Sequence, residues 1–266
     1  MSAMPDFRMT CTTLLGLNKS GTLKPNADGY YEVVLSALDY PNGVGAIYRA
    51  SSAYKMLEQS SSLSRKIKDG QLYGEWGHPK PDGLSSEQYL SRMYQVYEER
   101  TSHHFKEVWI EANGLKDKNG RAYVGIMGLV KPAGELGHLL KDSFENNIEN
   151  TAFSIRSITD NYMNRRTNTV EKEFVEIICW DKVNEPGLKP ASKYSSPSLE
   201  SFSLDLGDMP LSERLLKDIL SDASRSVISL ESNALFSIER MVKRIEKSKM
   251  TDVERVVKAR PGWMNL

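Results

Sequence analysis

The sequence predicts an α+β domain followed by a helical tail, and three observations support this fold class. Segments with alternating apolar residues, typical of strands, are interleaved with helix-periodic segments up to about residue 184. The segment 184–209 is rich in proline and serine, which is typical of a linker. After Pro210 every pattern is helical. We therefore expect a first domain at 1–209 and a helical tail at 210–266.

The first half of the chain alternates between strand and helix patterns. Residues 30–38 alternate as a strand does, and the turn sequence Pro-Asn-Gly then breaks the pattern. A helix with one polar face is predicted at 46–59, and a strand that runs into a loop is predicted at 72–79. Ser86, with the acidic Glu87 beside it, can begin another helix.

The second half continues this alternation before the tail. The segments 105–112 and 121–130 alternate around turn-rich residues, which predicts a β-hairpin. A helical segment at 131–146 and extended segments at 151–158 and 171–183 follow. The tail then contains three helical segments, which are LSERLLKDILSDA, SNALFSIERMVKRIEKS and TDVERVVKAR.

Composition argues against several classes of function. The 266 residues include 35 Lys and Arg and 35 Asp and Glu, and this zero net charge disfavours nucleic-acid binding through phosphates. No apolar run approaches the roughly 20 residues of a membrane helix, and the N-terminus lacks the pattern of a secretion signal. The two cysteines and four histidines lack metal-ligand spacing, so the sequence predicts no metal site. The sequence also lacks a phosphate-binding loop, so it gives no indication of a nucleotide cofactor. We expect a cytosolic protein without metal or cofactor.

Four histidines, all before residue 140, are the available imidazole bases. His78 lies in the tight turn GEWGHP, whereas His138 lies in a helical pattern that favours a helix surface. His103 and His104 are adjacent in an extended segment, so their side chains point to opposite faces and at most one can serve a given site. Taken one at a time, neither these histidines nor any serine can be chosen as catalytic from spacing alone.

Four short motifs follow one another within residues 30–190. They are GEWGHP at 74–79, Thr-Ser-His at 101–103, Lys-Pro-Ala-Gly at 131–134 and Ala-Phe-Ser-Ile-Arg-Ser at 152–157. In order and approximate spacing they resemble the motifs of the prohead core protein proteases of tailed phages. That family includes the head-maturation protease of T-even phages and is akin to the herpesvirus assemblins. The resemblance implies a serine endopeptidase with an assemblin-like β-barrel or sheet core surrounded by helices.

The resemblance also assigns roles to individual residues. His78 matches the family's general base, Ser154 its nucleophile, and Arg156 an arginine that helps to stabilise the oxyanion. The chain departs from the family beside the nucleophile, where Ala152 and Ser157 replace two glycines. This departure bears on the local backbone more than on the identity of the nucleophile.

The third member of the site follows from what the chain lacks. Assemblins use a second histidine downstream of the serine, but no histidine follows Ser154 in this sequence. A carboxylate is the natural substitute, because it can accept a hydrogen bond from the Nδ1–H of His78 and stabilise the imidazolium. Asp181, at the end of an apolar strand, is the first candidate, with Glu75 and His103 as alternatives.

The resemblance implies substrates as well. In the family they are the scaffold core proteins, the major capsid protein and the protease itself, cleaved inside the assembling prohead in the host cytoplasm. T-even relatives prefer a small or aliphatic residue two before a glutamate, and Leu211-Ser212-Glu213 fits that pattern. Self-cleavage there would release the tail, whose amphipathic helices could otherwise pack on the domain or dock to scaffold. Self-association is left open, and the alternative function is an inactive scaffold or capsid-assembly protein that keeps the protease fold.

Overall fold

Strands and helices alternate along most of the chain in a computed structural model. The structure describes residues 4–17, 23–42, 45–58, 61–113, 115–117, 120–146, 148–149, 151–184, 209–225 and 232–258. The strands are β1 (Phe7–Leu17), β2 (Tyr31–Leu38), β3 (Ile47–Tyr48), β4 (Tyr73–Glu75), β5 (Thr101–Glu111), β6 (Val124–Pro132), β7 (Ala152–Asn164), β8 (Thr169–Val183) and β9 (Met209–Pro210). The helices are α1 (Ala50–Met56), α2 (Ser62–Lys68), α3 (Ser86–Tyr94), α4 (Gly137–Glu145), α5 (Glu213–Ser224) and α6 (Ser232–Lys258), with a 3₁₀ turn at Glu98–Arg100.

The strands form two sheets. One has the order β3-β8-β7-β1-β9 and the other the order β2-β6-β5-β4. Their strand pairs are antiparallel, except that β3 runs parallel to β8. The two longest strands, β7 with 13 residues and β8 with 15, form a hairpin whose open end lies at Ala152 and Val183. That end positions the candidate site described below.

The two sheets do not close into the barrel that the family resemblance implies. Three of the four edge strands, β3, β4 and β9, are only two or three residues long, which is too short for a continuous ladder between the sheets. Within the described ranges, an isolated parallel bridge from Trp76 to Lys182 links the end of β4 to β8. The α+β class is confirmed, and of the expected barrel or sheet core the structure has two open sheets around a shared core.

One apolar cluster draws residues from both sheets and from the helices around them. Its largest member is Trp180 of β8, which has no exposed surface and packs against Phe105 of β5. The indole N–H of Trp180 donates to Oγ of Ser36 on β2 at 3.0 Å. A buried tryptophan needs such a partner for its polar edge, and this bond joins β8 of one sheet to β2 of the other.

Most predicted elements are confirmed, with shifts at their ends. The strand predicted at 30–38 is β2, and the predicted hairpin is β5–β6. Helix α3 begins at Ser86 as predicted, and Ser85 is its N-cap residue. Ser85 and Gln88 form a reciprocal capping box. Helix α4 begins only at Gly137, because β6 continues to Pro132.

Two expectations are corrected at the ends of the chain. Strand β1 (Phe7–Leu17) was not predicted, since its own alternation is weak and its pairing with β7 stabilises it. The last two predicted tail segments form one helix, α6, because no glycine or proline separates them. The predicted linker at 184–209 falls almost wholly on residues 185–208, which lie outside the described residues.

The described part of the tail packs into the same core as the first domain. Five described residues of α6 and three of α5 are buried there, namely Ala234, Ile238, Met241, Val242, Ile245, Leu215, Leu216 and Ile219. The N–H of Leu211 donates to the carbonyl of Phe7 at 2.8 Å, and Arg244 forms an ion pair with Asp160 at 2.8 Å. The domain boundary near residue 209 stays a prediction.

His103 of β5 is a core residue. It has no exposed surface, and its Nε2 lies 3.0 Å from the carbonyl oxygen of Trp180. A carbonyl only accepts, so Nε2 carries the proton and Nδ1 accepts from the Ser102 hydroxyl at 2.8 Å. Burial lowers the pKa of His103 to about 4, although the nearby Asp181 opposes this shift.

The packing of the tail predicts unequal costs for two apolar truncations. Leu216→Ala should lower the free energy of unfolding by about 2–5 kcal/mol, since Leu216 has no exposed surface and its loss leaves a cavity. Phe236→Ala should cost less than about 0.5 kcal/mol, because Phe236 is 61% exposed. Urea unfolding of the full chain measures both, and equal costs would show that the tail does not depend on this core.

The buried, neutral His103 predicts a loss of stability in acid. The unfolded chain binds a proton below a histidine pKa of about 6.5, whereas folded His103 binds one only near 4. Its contribution to stability is therefore complete above pH 6.5 and lost as the pH falls toward 4. His103→Gln should flatten the decline of the unfolding free energy across this window by up to about 1.4 kcal/mol per pH unit. His138→Gln, at an exposed helix position, is the control, and equal slopes in all three proteins would contradict the expectation.

Candidate active site

The register of β7 and β8 gathers four side chains on one face. Ser154 is directly opposite Asp181, and Arg156 is directly opposite Cys179. Opposite residues in an antiparallel pair point to the same face, with Cβ atoms about 4.5–5.5 Å apart. All four residues have no exposed surface. Strand pairing alone therefore places the predicted nucleophile beside the predicted carboxylate.

A turn after β4 adds His78 to this group. Gly77 adopts φ +81°, a left-handed conformation that favours glycine, and its N–H donates to the carbonyl of Lys182 at 2.7 Å. The preceding Trp76 bridges to Lys182, whose ammonium lies 3.7 Å from the centroid of the indole ring. The turn is thus held at the end of β8, and Nδ1 of His78 lies 2.8 Å from Oδ2 of Asp181.

A second glycine of the same motif allows β4 to approach β8. A Cβ atom on Gly74 would lie 2.1 Å from the carbonyl oxygen of Trp180 and 2.3 Å from Nε2 of His103. No side chain fits at these distances. Each glycine of GEWGHP is therefore required for a different physical reason. Gly74 allows the close approach of two strands, and Gly77 adopts a left-handed backbone conformation. The sequence pattern alone did not distinguish these two roles.

Asp181 accepts hydrogen bonds at both of its oxygens. Arg156 binds it in a bidentate manner, with Nε 2.9 Å from Oδ2 and Nη2 2.7 Å from Oδ1. The backbone N–H of Glu75 donates to Oδ1 at 3.0 Å. Burial alone would raise the pKa of Asp181, but Arg156 and His78 hold it well below its usual range. An ionised Asp181 therefore accepts the Nδ1–H of His78, which leaves Nε2 as the basic nitrogen.

The guanidinium of Arg156 is engaged at every nitrogen. Besides Asp181, it donates from Nη1 to the carbonyls of Gln95 at 2.7 Å and Met93 at 3.3 Å, and Nη2 lies 3.5 Å from Oε2 of Glu75. Four hydrogen bonds and one ion pair therefore surround the guanidinium, which has five N–H groups. The contacts favour a role in holding Asp181, and the oxyanion role that the resemblance implies for Arg156 stays a prediction.

The carboxylate of Glu75, an alternative third member, is directed into the protein. It forms a bidentate ion pair with Arg92 at 2.8 and 2.5 Å and accepts the backbone N–H of Tyr97 at 2.8 Å. Asp181 is thus the candidate whose carboxylate the described structure places on the His78 ring.

The other histidines lie apart from this arrangement. His103, the second alternative, is hydrogen-bonded within the core as described above. His104 points to the opposite face, where its Nδ1 lies 3.0 Å from the hydroxyl of Tyr30. His138 is exposed on α4. The predicted opposite orientation of the adjacent histidines and the predicted helix-surface position of His138 are confirmed.

The hydroxyl of Ser154 is buried and has no hydrogen-bond partner among the described residues. The hydroxyl of Ser157, three residues further along β7, is also buried without a hydrogen-bond partner among the described residues. Buried polar atoms are nearly always paired, so each exception calls for an explanation. A nucleophile that awaits a substrate is one such explanation for Ser154, which lies beside Asp181.

An irregularity in β1 lies directly beside Ser154. Thr12 pairs with Ile155 and Gly16 pairs with Phe153. The three residues 13–15 of β1 therefore lie opposite a single residue of β7, which is Ser154. Bulges of this kind interrupt the regular ladder and are common next to active sites. The backbone of β1 is therefore least regular where the predicted nucleophile lies.

Sequence reasoning missed Arg92, the partner of Glu75. Arg92 is only 8% exposed, although it lies on α3 between the buried residues Leu90 and Met93. A charged residue within the apolar stripe of a helix requires a buried partner, and this was the available signal. The sequence could not indicate that the partner would be Glu75.

Two further properties bear on cofactors and membranes. In the described ranges, no group of three or more His, Cys, Asp or Glu side chains is arranged to hold a metal ion. The described helices include none that is both long and apolar enough to cross a membrane.

Comparison with known proteins identifies the family. The sequence profile of the Peptidase S80 family matches residues 9–241. The capsid maturation protease of Pseudomonas phage phiKZ is 32% identical over 257 residues, covering 94% of this chain and 91% of the phage protein. The structure of the bacteriophage T4 capsid assembly protease, gp21, aligns with a TM-score of 0.43 and 12% identity, covering 68% of this chain and 99% of that chain. Because the profile and the phiKZ relative both span most of the sequence, the chain belongs to the Peptidase S80 family.

Proposed function

We propose that this protein is a serine endopeptidase of phage prohead maturation, with Ser154 as nucleophile, His78 as general base and Asp181 as the orienting carboxylate. One observation carries the assignment, because Asp181 is both the strand partner of Ser154 and the hydrogen-bond partner of His78. Family membership supports peptidase activity, and the name of the phiKZ relative supports a role in capsid maturation.

The mechanism follows from these positions. Nε2 of His78 takes the proton of the Ser154 hydroxyl as its oxygen attacks a peptide carbonyl. Asp181 holds the ring in the tautomer that makes Nε2 basic and stabilises the imidazolium that forms. The tetrahedral oxyanion is stabilised by N–H donors, His78 then protonates the leaving amine, and water hydrolyses the acyl-enzyme.

The burial of Ser154 adds a condition to this mechanism. Ser154 has no exposed surface, so a peptide reaches its hydroxyl only after the neighbouring chain moves aside. Catalytic hydrogen bonds are often completed only when substrate is bound, so the unpaired hydroxyl is compatible with a nucleophile. We infer that the described state is closed and that substrate or assembly opens it.

The proposed substrates are the phage scaffold or core proteins and the major capsid protein, cleaved inside the assembling prohead in the host cytoplasm. We also propose that the protease self-associates. Its two-sheet core is proposed to be related to the core of the assemblins. The name of the phiKZ relative, a capsid maturation protease, supports this setting.

Self-cleavage after Glu213 would require a local change of structure. Ser212 caps α5 by accepting the N–H of Leu215, and Glu213 is the first residue of that helix. The Glu213 carboxylate also binds Lys217 at 2.9 Å and contacts Lys249. Proteases bind their substrates as extended peptides, so cleavage at this bond requires the first turn of α5 to unwind.

The nucleophile can be tested against a matched serine on the same strand. Ser154→Ala should lower cleavage of co-expressed capsid and scaffold proteins at least about a thousandfold, because no other hydroxyl lies opposite Asp181 in the strand register. Ser157→Ala removes an equally buried, unpaired hydroxyl and should cleave as the wild type does. Gel electrophoresis and mass spectrometry of the products measure both. Identical uncleaved products in the wild type and Ser154→Ala would instead support an inactive protease fold.

The role of Asp181 can be tested in the same assay. Asp181→Asn should lower kcat by about 10³–10⁴-fold, since the imidazole loses its orienting charge. Asp160→Asn is the control and should retain activity. Asp160 lies on the same strand as Ser154, and its carboxylate pairs with Arg244 of α6. Circular dichroism establishes that both variants are folded. A folded Asp181→Asn variant with unchanged kcat would exclude Asp181 from the site.

A further inference from the structure

A row of alternating charges runs from the His78 ring into the protein. The closest contacts along it are 2.8 Å from His78 to Asp181, 2.7 Å from Asp181 to Arg156, 3.5 Å from Arg156 to Glu75 and 2.5 Å from Glu75 to Arg92. Asp181, Arg156 and Glu75 have no exposed surface, and Arg92 is 8% exposed. Two carboxylates and two guanidiniums are thus buried in one line behind the imidazole.

Stability alone does not account for such a row. Taking charges out of water is costly, and well-packed apolar side chains of similar volume often stabilise a fold equally well or better. Groups whose pKa values are shifted by burial and by specific charge partners are concentrated at functional sites. The row ends on the proposed general base, which indicates the group that it controls.

We propose that the buried Glu75–Arg92 pair acts through Arg156 to position the Asp181–His78 pair and to set how strongly His78 holds a proton. This inference rests on the proposed function, in which His78 is the general base. Glu75 and Arg92 do not touch the reacting atoms, so both are positioning residues.

The electrostatic part follows from the alternation of charge. Arg156 compensates the charge of Asp181, and on its own it would weaken the attraction of Asp181 for a proton on His78. Glu75 lies on the other side of Arg156 and offsets that guanidinium, which restores the net negative field at the imidazole. Arg92 in turn limits the effect of Glu75.

The geometric part follows from where the row ends. Glu75 accepts the backbone N–H of Tyr97 at 2.8 Å, and Arg92 donates to the carbonyl of Gln95 at 2.9 Å while its Cζ lies 3.7 Å from the centroid of the Tyr97 ring. Arg156 donates to the carbonyl of Gln95 as well. The far end of the row is therefore anchored to the end of α3, and its near end orients Asp181.

Arg100 is a further cation at the row. Its Nε lies 3.4 Å from Oε2 of Glu75, and its Nη2 donates to the carbonyl of Trp76 at 3.0 Å, next to the His78 turn. Its side chain is 44% exposed, so solvent screens its charge. Its removal should act in the same direction as removal of Arg92, and with less risk to folding.

Three other titratable groups lie beside the row, namely Cys179, His103 and Lys182. Burial raises the pKa of the Cys179 thiol, which lies 3.7 Å from Asp181 and stays neutral. Burial lowers the pKa of His103 to about 4, so it is neutral as well. Lys182 of β8 is directed at Trp76 and Asn184, and burial lowers its pKa.

The test is an NMR titration of the four histidines in a Ser154→Ala background, which prevents the proposed self-cleavage during the measurement. Glu75→Gln should lower the titration midpoint of His78, and Arg92→Gln should raise it, each on the order of 0.5–1 pH unit. Arg100→Gln should raise it by less, and the double variant Glu75→Gln/Arg92→Gln should lie near the parent protein. Arg49→Gln, which breaks a separate pair with Glu171 at 3.5 Å, is the control without a shift.

The opposite signs distinguish this inference from a merely structural role. Shifts of His78 in opposite directions support it, whereas equal or absent shifts in folded variants overturn it. Where a single variant does not fold, Arg100→Gln and the charge-balanced double variant decide, and an unmoved midpoint in Arg100→Gln overturns the inference.

Kinetics separate this inference from the proposed function. In enzyme with Ser154 intact, the acid limb of kcat/KM should move with the NMR midpoint in each variant. Ser154-dependent cleavage without opposite shifts overturns this inference alone. Absence of Ser154-dependent cleavage overturns the proposed function, and the titration still decides whether the row controls His78.

Discussion

Arg156 and Asp181 lie on neighbouring strands, two residues out of register, and form a bidentate ion pair with no exposed surface. The rest of the site is arranged around this pair. The turn after β4 carries His78 to one carboxylate oxygen, and the end of α3 supplies carbonyls to the guanidinium. Removal of one partner of such a buried pair costs about 3–5 kcal/mol, so the stability of the fold and the geometry of the site depend on the same contact.

The candidate site combines an ordered proposed base, His78, with an inaccessible proposed nucleophile, Ser154. Asp181, Arg156 and the β4 turn are fixed by hydrogen bonds before any substrate arrives, which reduces the reorganisation that catalysis requires. Ser154, by contrast, is buried beside the irregular part of β1. In the proposed function this burial means that the site opens before cleavage, which would avoid premature cleavage.

The fold could be predicted where local periodicity dominates. Strand β2, the β5–β6 hairpin and α3 follow from alternation and capping in their own segments. Strand β1 could not be predicted in this way, because its pairing with β7 joins segments far apart in the sequence. The choice between a barrel and a sheet core could not be predicted for a related reason, since the length of an edge strand depends on its neighbours and short edges leave the sheets open.

The sequence by itself determined the α+β pattern, and its ordered motifs selected His78 and Ser154 as candidates. The absence of a histidine after Ser154 made Asp181 the first candidate for the third member, ahead of Glu75 and His103. Tertiary structure alone decided which acidic side chain lies against the imidazole. Asp181 is 103 residues from His78 and contacts it, whereas Glu75, three residues away, turns its carboxylate to Arg92. The reason is physical, because hydrogen bonds and charges act through space at a few ångströms, and that distance is set by strand register and turn conformation rather than by sequence separation.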